Sequence, residues 1–179
     1  MTRSTKLWGA AAWFCSLAAV AFADGGNGSV SCEIRENGEA ASGVISLQKD
    51  GKELASGSCG KELSIAAGTY DAVLRLDGAL DGPEQHQLLT LKKGSKAELK
   101  ADFATGTLEV KIASQGKRAA GMAVIKRDGK QIGTLGSGVS AHLSAGNYEV
   151  VARYRTQEKA FSQVQVVRGQ AVTLDAAFE

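Results

Sequence analysis

Few residues of this chain combine types and spacings that could do chemistry. Cys32 and Cys59 are the only cysteines after Cys15, and His86 and His142 are the only histidines. Neither histidine has another histidine or a cysteine near it in sequence, whereas a metal site needs several converging ligands. No serine lies in a Gly-x-Ser-x-Gly motif, and the chain has no His-Glu-x-x-His or P-loop motif. The sequence therefore predicts no catalytic residue, no metal ligand and no cofactor.

The N-terminal segment has the three parts of a secretory signal peptide. Arg3 and Lys6 precede an apolar run, and Ala21-Phe22-Ala23 forms a small-x-small cleavage site. We therefore expect residues 1–23 to be removed and the protein to be exported, either to the periplasm or outside the cell. No later stretch is long and apolar enough to span a membrane, so we expect no stable membrane insertion after cleavage.

The predicted export affects how the net charge and the cysteines are interpreted. The full chain of 179 residues has a formal net charge of +2, but both surplus positive charges lie in the signal peptide. A neutral mature chain is a poor partner for nucleic acid. An exported protein with two cysteines works in a compartment that permits disulfides. We therefore predict a Cys32–Cys59 disulfide, whose closed loop contributes roughly 3–4 kcal/mol in the chain-entropy model.

The mature chain contains an internal repeat of two similar units. Residues 34–76 align on residues 112–154 at a constant offset of 78, and the match resumes at an offset of 75 after the loop 77–83. This alignment gives the first unit three extra residues in one loop. We predict two domains, residues 24–105 and 106–179, without a flexible linker between them.

Both units have the sequence pattern of β-structure. Leu108, Val110 and Ile112 alternate with charged residues, which indicates strands with one buried and one solvated face. Asp50-Gly51 and Asp128-Gly129 predict two-residue hairpins, because a type I′ turn needs positive φ at both central residues. About seven short strands per unit predict an all-β protein of two tandem β-sandwich domains.

These turn and strand patterns resemble a known family. The segments Gly-Thr-Leu-Glu-Val at 106–110, Leu-Ser-Ala-Gly-Asn-Tyr-Glu-Val at 143–150 and Val-Val-Arg-Gly-Gln at 166–170 are similar to those of PEGA-like and carboxypeptidase-regulatory-like modules. The resemblance implies small immunoglobulin-like or prealbumin-like sandwiches, like the tandem repeats that accompany von Willebrand A domains in secreted bacterial proteins. The Asp-x-Ser-x-Ser metal motif of the von Willebrand A domain itself is absent from the sequence.

Three further features are candidate site residues. Tyr70 and Tyr148 follow Ala-Gly-x in both units and are predicted to form structural tyrosine corners, with sugar stacking as the alternative. Asp77, Asp81 and Pro83 lie in the loop that is longer in the first unit. Since binding residues concentrate on loops, we predict that this loop contacts a partner, with a loose calcium site left open.

Taken together, these patterns predict a non-enzymatic exported protein of the bacterial cell envelope or exterior. Its β-sandwiches would present loops or edge strands to a protein partner, since an unpaired edge can recruit a partner's strand. A carbohydrate-binding accessory module is the first alternative and would require exposed aromatic rings. A small exported hydrolase is the second and would require converging side chains around His86 or His142.

Overall fold

The computed structural model describes residues 26–179, and these residues form strands and turns only. The predicted signal peptide, residues 1–23, lies outside the described residues. Within residues 26–179, no helix is present that could cross a membrane. The fold is all-β, as the alternating pattern predicts.

Sixteen strands follow one another within residues 26–179, and the last eight repeat the order of the first eight. We call β1 to β8 the first module and β9 to β16 the second module. The strands are β1 (Asn27–Glu36), β2 (Glu39–Ala41), β3 (Gly43–Lys49), β4 (Lys52–Ser58), β5 (Leu63–Ala66), β6 (Gly68–Leu76), β7 (Glu84–Leu91), β8 (Lys96–Phe103), β9 (Thr105–Ser114), β10 (Lys117–Arg118), β11 (Met122–Arg127), β12 (Lys130–Gly136), β13 (Ser140–Ser144), β14 (Gly146–Tyr154), β15 (Gln157–Val166) and β16 (Ala171–Phe178).

Each module consists of two facing sheets. In the first module, β1 pairs in parallel with β8 and antiparallel with β5 and β2. The facing sheet is antiparallel and has the order β4-β3-β6-β7. The second module repeats both sheets, with β9 between β16 and β13 and with the order β12-β11-β14-β15.

The alternating apolar residues of both sheets meet in a separate core in each module. Along β1, the inward residues Val30, Cys32 and Ile34 are buried, while their neighbours are partly exposed. This period of two is the expected burial pattern of a strand with one solvated face. In the second module Leu108, Val110 and Ile112 of β9 do the same. Strand β9 starts at Thr105, so the predicted boundary between 105 and 106 lies at the beginning of that strand.

Both Asp-Gly hairpins have the predicted geometry. Asp50 and Gly51 have φ values of 53° and 74°, and Asp128 and Gly129 have φ values of 51° and 74°. Positive φ at both central residues is what a type I′ turn requires, and it matches the twist of the flanking strands.

The alignment of the two units needs one correction. In the first module Arg75 pairs with Glu84, and in the second Arg153 pairs with Glu158, so the first module's loop is longer by four residues rather than three. Strand β15 of the second module has one additional residue in a bulge, where Gln163 has a φ of 58°, so the net difference between the modules is three residues. A β-bulge adds one unpaired residue to a strand, which a gapless alignment cannot detect.

The predicted disulfide is present between Cys32 in β1 and Cys59 in the turn after β4. It joins the two sheets of the first module at the edge of its core. In the second module Val110 and Ser137 stand at these positions. There the Ser137 hydroxyl accepts a hydrogen bond of 3.0 Å from the Ile112 amide. One module therefore uses a covalent link where the other uses a hydrogen bond.

Candidate functional site: the module junction and the free strand edges

The two modules are joined by a single residue, Ala104, between β8 and β9. Thr105, which follows it, is 1% exposed. The Asn37 side chain binds both backbone groups of Thr105, because its Oδ1 accepts from the Thr105 amide at 3.0 Å and its Nδ2 donates to the Thr105 carbonyl at 3.0 Å. Asn37 has a φ of 57°, a conformation that asparagine tolerates better than most residues. The turn after β1 therefore clamps the start of the second module.

The loop between β6 and β7, predicted to contact a partner, contacts the second module of the same chain. The Asp81 side chain is only 6% exposed, and its carboxylate lies 3.6 Å from the Arg127 guanidinium. Its two oxygens accept from the Ser144 amide at 3.1 and 3.2 Å. The Tyr148 hydroxyl lies 3.1 Å from Asp81 Oδ2. A buried carboxylate needs such partners, and here all of them come from the second module.

The residues before Asp81 extend the same contact. Ala79 forms a parallel β-bridge with His142, and the Leu80 amide donates to the His142 carbonyl at 2.8 Å. The Leu80 side chain covers Gly133, where an added Cβ would lie 2.7 Å from it. Leu80 also packs against the core of the second module. The segment therefore lies along the outer edge of β13 and pairs with it through a single bridge.

We call Ala79, Leu80 and Asp81 the plug. We call the surface that receives it the socket, which consists of Arg127, Gly133, His142, Ser144 and Tyr148. Burial raises the pKa of the Tyr148 phenol, and the neighbouring Asp81 carboxylate raises it further. Tyr148 therefore stays neutral, and its single hydroxyl proton is shared between the Ser144 carbonyl and Asp81 Oδ2.

A second contact across the junction joins Glu36 to His142. Glu36 Oε1 lies 2.8 Å from His142 Nδ1 and also accepts from the Thr105 hydroxyl. Partial burial by itself raises the pKa of the Glu36 carboxyl. The hydrogen bonds from Thr105 and His142 outweigh burial, so the pKa of Glu36 is lowered from 4.5.

This lowered pKa predicts a pH-dependent contribution of Glu36 to stability. A carboxyl with a lower pKa in the folded state stabilises the fold above its unfolded pKa, and the contribution is lost as the pH falls through the folded pKa. As the pH falls from 5 to values below about 4.5, we expect the free energy of unfolding to decrease. Glu36→Gln should remove part of that decrease. Urea unfolding of both proteins across this range measures the difference. Parallel pH profiles would contradict the prediction.

The other candidate site residues lie as follows. Asp77 is exposed, while Pro83 closes the loop by accepting a hydrogen bond from the Leu76 amide at 3.2 Å. Tyr70 and Tyr148 donate to the carbonyls of Ala66 and Ser144, both at 2.7 Å. This is the hydrogen bond of a tyrosine corner, made at the same position in both modules. The two rings are 5% and 1% exposed, which leaves them no free face for a sugar.

The histidines lie in different modules, and each faces one carboxylate. His86 Nδ1 lies 2.9 Å from Asp71 Oδ2 on the outer face of the first module, beside a shallow groove of about 430 Å³. Ser46 is in the same groove, but its hydroxyl donates to Glu53 at 2.6 Å and not to His86. Ser56 of the groove also donates to Glu53, at 2.9 Å, so neither Ser46 nor Ser56 is hydrogen-bonded to His86 as a serine–histidine pair requires. Within residues 26–179, no cluster of three acidic, histidine or cysteine side chains could hold a metal ion.

The two modules differ in how they protect their edge strands. Among the described residues, strands β8 and β16 each pair with a strand on one side only. In the first module Gln85 and Gln87 of β7 donate to the carbonyls of Asp102 and Lys100, at 2.8 and 2.7 Å. These amides cap the outer edge of β8. Sequence reasoning missed them because a glutamine in a strand has no signal that distinguishes a cap from a solvated side chain.

The comparisons with known proteins give distant structural likenesses. No family model matches the chain, and no curated protein matches it. The chain is similar to GBS52, the minor pilin of Streptococcus agalactiae, at 12% identity, covering 85% of this chain and 94% of that one with a TM-score of 0.39. It is similar to the Bacillus anthracis TIE protein at 12% identity, covering 86% and 34% with a TM-score of 0.40. A streptococcal ancillary pilin has 10% identity, coverage of 86% and 63%, and a TM-score of 0.36.

The chain spans about a third of the length of the TIE protein. At these identities and TM-scores, the likenesses carry no argument about family or function. The class that the strands and cores establish is an all-β protein of sandwich type. The resemblance to PEGA-like modules stays a prediction.

Proposed function

We propose that this protein is an exported, non-enzymatic binding module that holds two sandwiches in a fixed arrangement and pairs with an extended strand of a protein partner along β16. The single observation that carries the proposal is the difference between the two edge strands. Where β7 has Gln85 and Gln87, β15 has Lys159 and Phe161. Phenylalanine has no hydrogen-bond donor, and the Lys159 ammonium lies 5.6 Å from the centre of the Phe161 ring.

The solvent-facing residues of β8 and β16 also differ, and in a way that leaves β16 less protected. On β8 they are all charged: Lys96, Glu98, Lys100 and Asp102. On β16 they are small or uncharged apart from one aspartate: Ala171, Thr173, Asp175 and Ala177. Natural sheets protect their edges with charges, and a partner strand pairs more readily where they are absent. The edge of β16 is therefore the more suitable one for strand addition.

The remaining parts of the proposal have their own support. Export is supported by the predicted signal peptide and by the disulfide. A non-enzymatic role is supported by the groove beside His86, where Ser46 and Ser56 donate to Glu53 rather than to the histidine. A rigid holder is supported by the single-residue connection and the buried Asp81, because fixed geometry lowers the entropy cost of binding.

Site-specific photo-crosslinking in the native host tests the proposal. A photoreactive residue at Ala177 of β16 is expected to give a discrete protein adduct, whereas one at Glu98 of β8 is not. Equal adducts at both positions, or none at Ala177, would reject strand addition at β16.

A charge placed on the edge should prevent pairing. We expect Thr173→Lys to abolish the adduct formed from Ala177, because an outward lysine blocks edge-to-edge association. The fold should be unaffected, since Thr173 is solvent-exposed. The control is Glu98→Lys on β8, which should leave the adduct unchanged. An adduct that persists in Thr173→Lys would place the contact elsewhere.

A further inference from the structure

The first module contains its own copy of the socket. At the offset of 78, the positions of Arg127, Gly133, His142, Ser144 and Tyr148 correspond to Lys49, Ala55, Ser64, Ala66 and Tyr70.

The backbone pairing of the two modules agrees with this sequence alignment. Ile65 pairs with Gly28 just as Leu143 pairs with Gly106. The tyrosine corner fixes both copies in the same way, through hydrogen bonds of 2.7 Å. The two edges therefore share their backbone pairing, but the Ala55 methyl group stands where Leu80 lies against Gly133, so an apolar side chain at the first edge must sit farther out.

The copy in the first module is uncovered by the described residues. Leu54 is 50% exposed, whereas its counterpart Ile132 packs against the core of the second module. Ile65 is partly exposed, whereas its counterpart Leu143 is fully buried. Strand β13 has the bridge from Ala79 on its outer side, but β5 pairs only with β1 within residues 26–179.

We infer that the first module's socket binds an acidic loop of another protein, one in which an apolar side chain directly precedes a carboxylate. The occupied socket shows which chemistry this surface accepts. Leu80 covers the apolar floor, and Asp81 accepts from a backbone amide and faces a cation. At the equivalent positions of the first module, the exposed Leu54 and Lys49 and the partly exposed Ala55 are available to an occupant.

The occupant is not the plug of a second copy in its folded state. The chain contains one plug, because the corresponding connection in the second module is a tight turn between Tyr154 and Gln157. That plug is already seated, with Asp81 only 6% exposed. A second copy could offer it only by opening its own junction. The inferred site is separate from the edge of β16 and goes beyond the proposed function.

Titration of an isotope-labelled chain with a plug peptide tests the inference. The chain comprises residues 24–179, and the peptide carries residues 77–83 closed head to tail, since the Leu76–Pro83 hydrogen bond shows that the loop ends meet. We expect millimolar binding, with amide shifts at residues 64–66 and at Leu54. The control peptide has asparagine in place of Asp81 and should bind more weakly. Lys49→Glu should weaken binding by roughly three- to tenfold, because it replaces an attraction with a repulsion.

The other outcomes would overturn the inference. Shifts confined to the second module's socket would mean that the peptide merely displaces the seated plug. Equal binding of the asparagine peptide would remove the role of the carboxylate. An absence of shifts would mean that the surface does not recognise the plug, and contacts from Asp24 or Gly25 to Leu54 in the same spectra would show the chain's own N-terminal residues seated there. Shifts along residues 171–178 would report on β16 instead, so the two proposals can fail separately.

Discussion

Replacing Asp81 with alanine is expected to loosen the contact between the two modules and to lower the free energy of unfolding by about 2 kcal/mol. The substitution leaves the Ser144 amide without its acceptor and the Arg127 guanidinium without its counter-charge. Removing one partner from a buried polar contact costs more than the contact itself contributes, because the other partner stays desolvated. Because the contacts of Asn37 with Thr105 and of Glu36 with His142 remain, the modules should move more widely relative to each other without tumbling independently.

Two measurements check this expectation. Urea unfolding gives the loss in stability, and amide NMR relaxation gives the rotational correlation time of each module. Asp77→Ala is the matched control, because Asp77 lies in the same loop but is exposed. The control should behave as the unmodified protein does. If Asp81→Ala leaves both the correlation times and the stability unchanged, Asp81 does not contribute to holding the modules together.

The double replacement Cys32→Val and Cys59→Ser is expected to cost the first module roughly 3–4 kcal/mol. The disulfide closes a loop with a sequence separation of 27, and its loss restores conformational entropy to the unfolded chain. The two new residues are those that the second module carries at Val110 and Ser137, so the core should still be filled. The hydrogen bond seen from Ile112 to Ser137 could form at Ile34 and offset part of the loss.

Amide signals in urea separate the two modules in this experiment. We expect the signals of the first module to disappear at lower urea than those of the second, whereas the unmodified chain keeps them closer together. Tryptophan fluorescence is unsuitable, because both tryptophans precede Ala23. The reduced unmodified protein is the control for the chemistry of the bond. A first module that melts unchanged after both replacements would refute a stabilising role for the disulfide.

Much of the local structure could be predicted from short stretches of sequence. The alternation in Leu108, Val110 and Ile112 predicts a half-buried strand, because successive side chains of a strand point to opposite faces. Asp-Gly predicts the hairpins because few other pairs tolerate positive φ twice. These features depend on neighbouring residues, so local sequence is sufficient for them.

The bulge at Gln163 was not predictable in this way. It changes which residues of β15 face Val150 and Val151, and so moves the counterpart of His86 from Phe161 to Ala160. Two units that share a fold can differ by compensating insertions, which an alignment without gaps counts only as their net difference. Only the hydrogen-bonded register separates the longer loop from the extra strand residue.

Some features of the candidate sites could be predicted from the sequence, and others only from the folded chain. The cysteine pair, the corner tyrosines and the duplicated strand order are visible in the sequence, because they depend on residue types at fixed positions within a repeat. The destination of Asp81 and the glutamine caps on β8 are properties of the folded chain. They require side chains to reach backbone groups 13 to 63 residues away, across surfaces formed only after both sheets are in place. The burial that makes Asp81 a junction residue is therefore a property of the assembled modules, although its charge is present in the sequence.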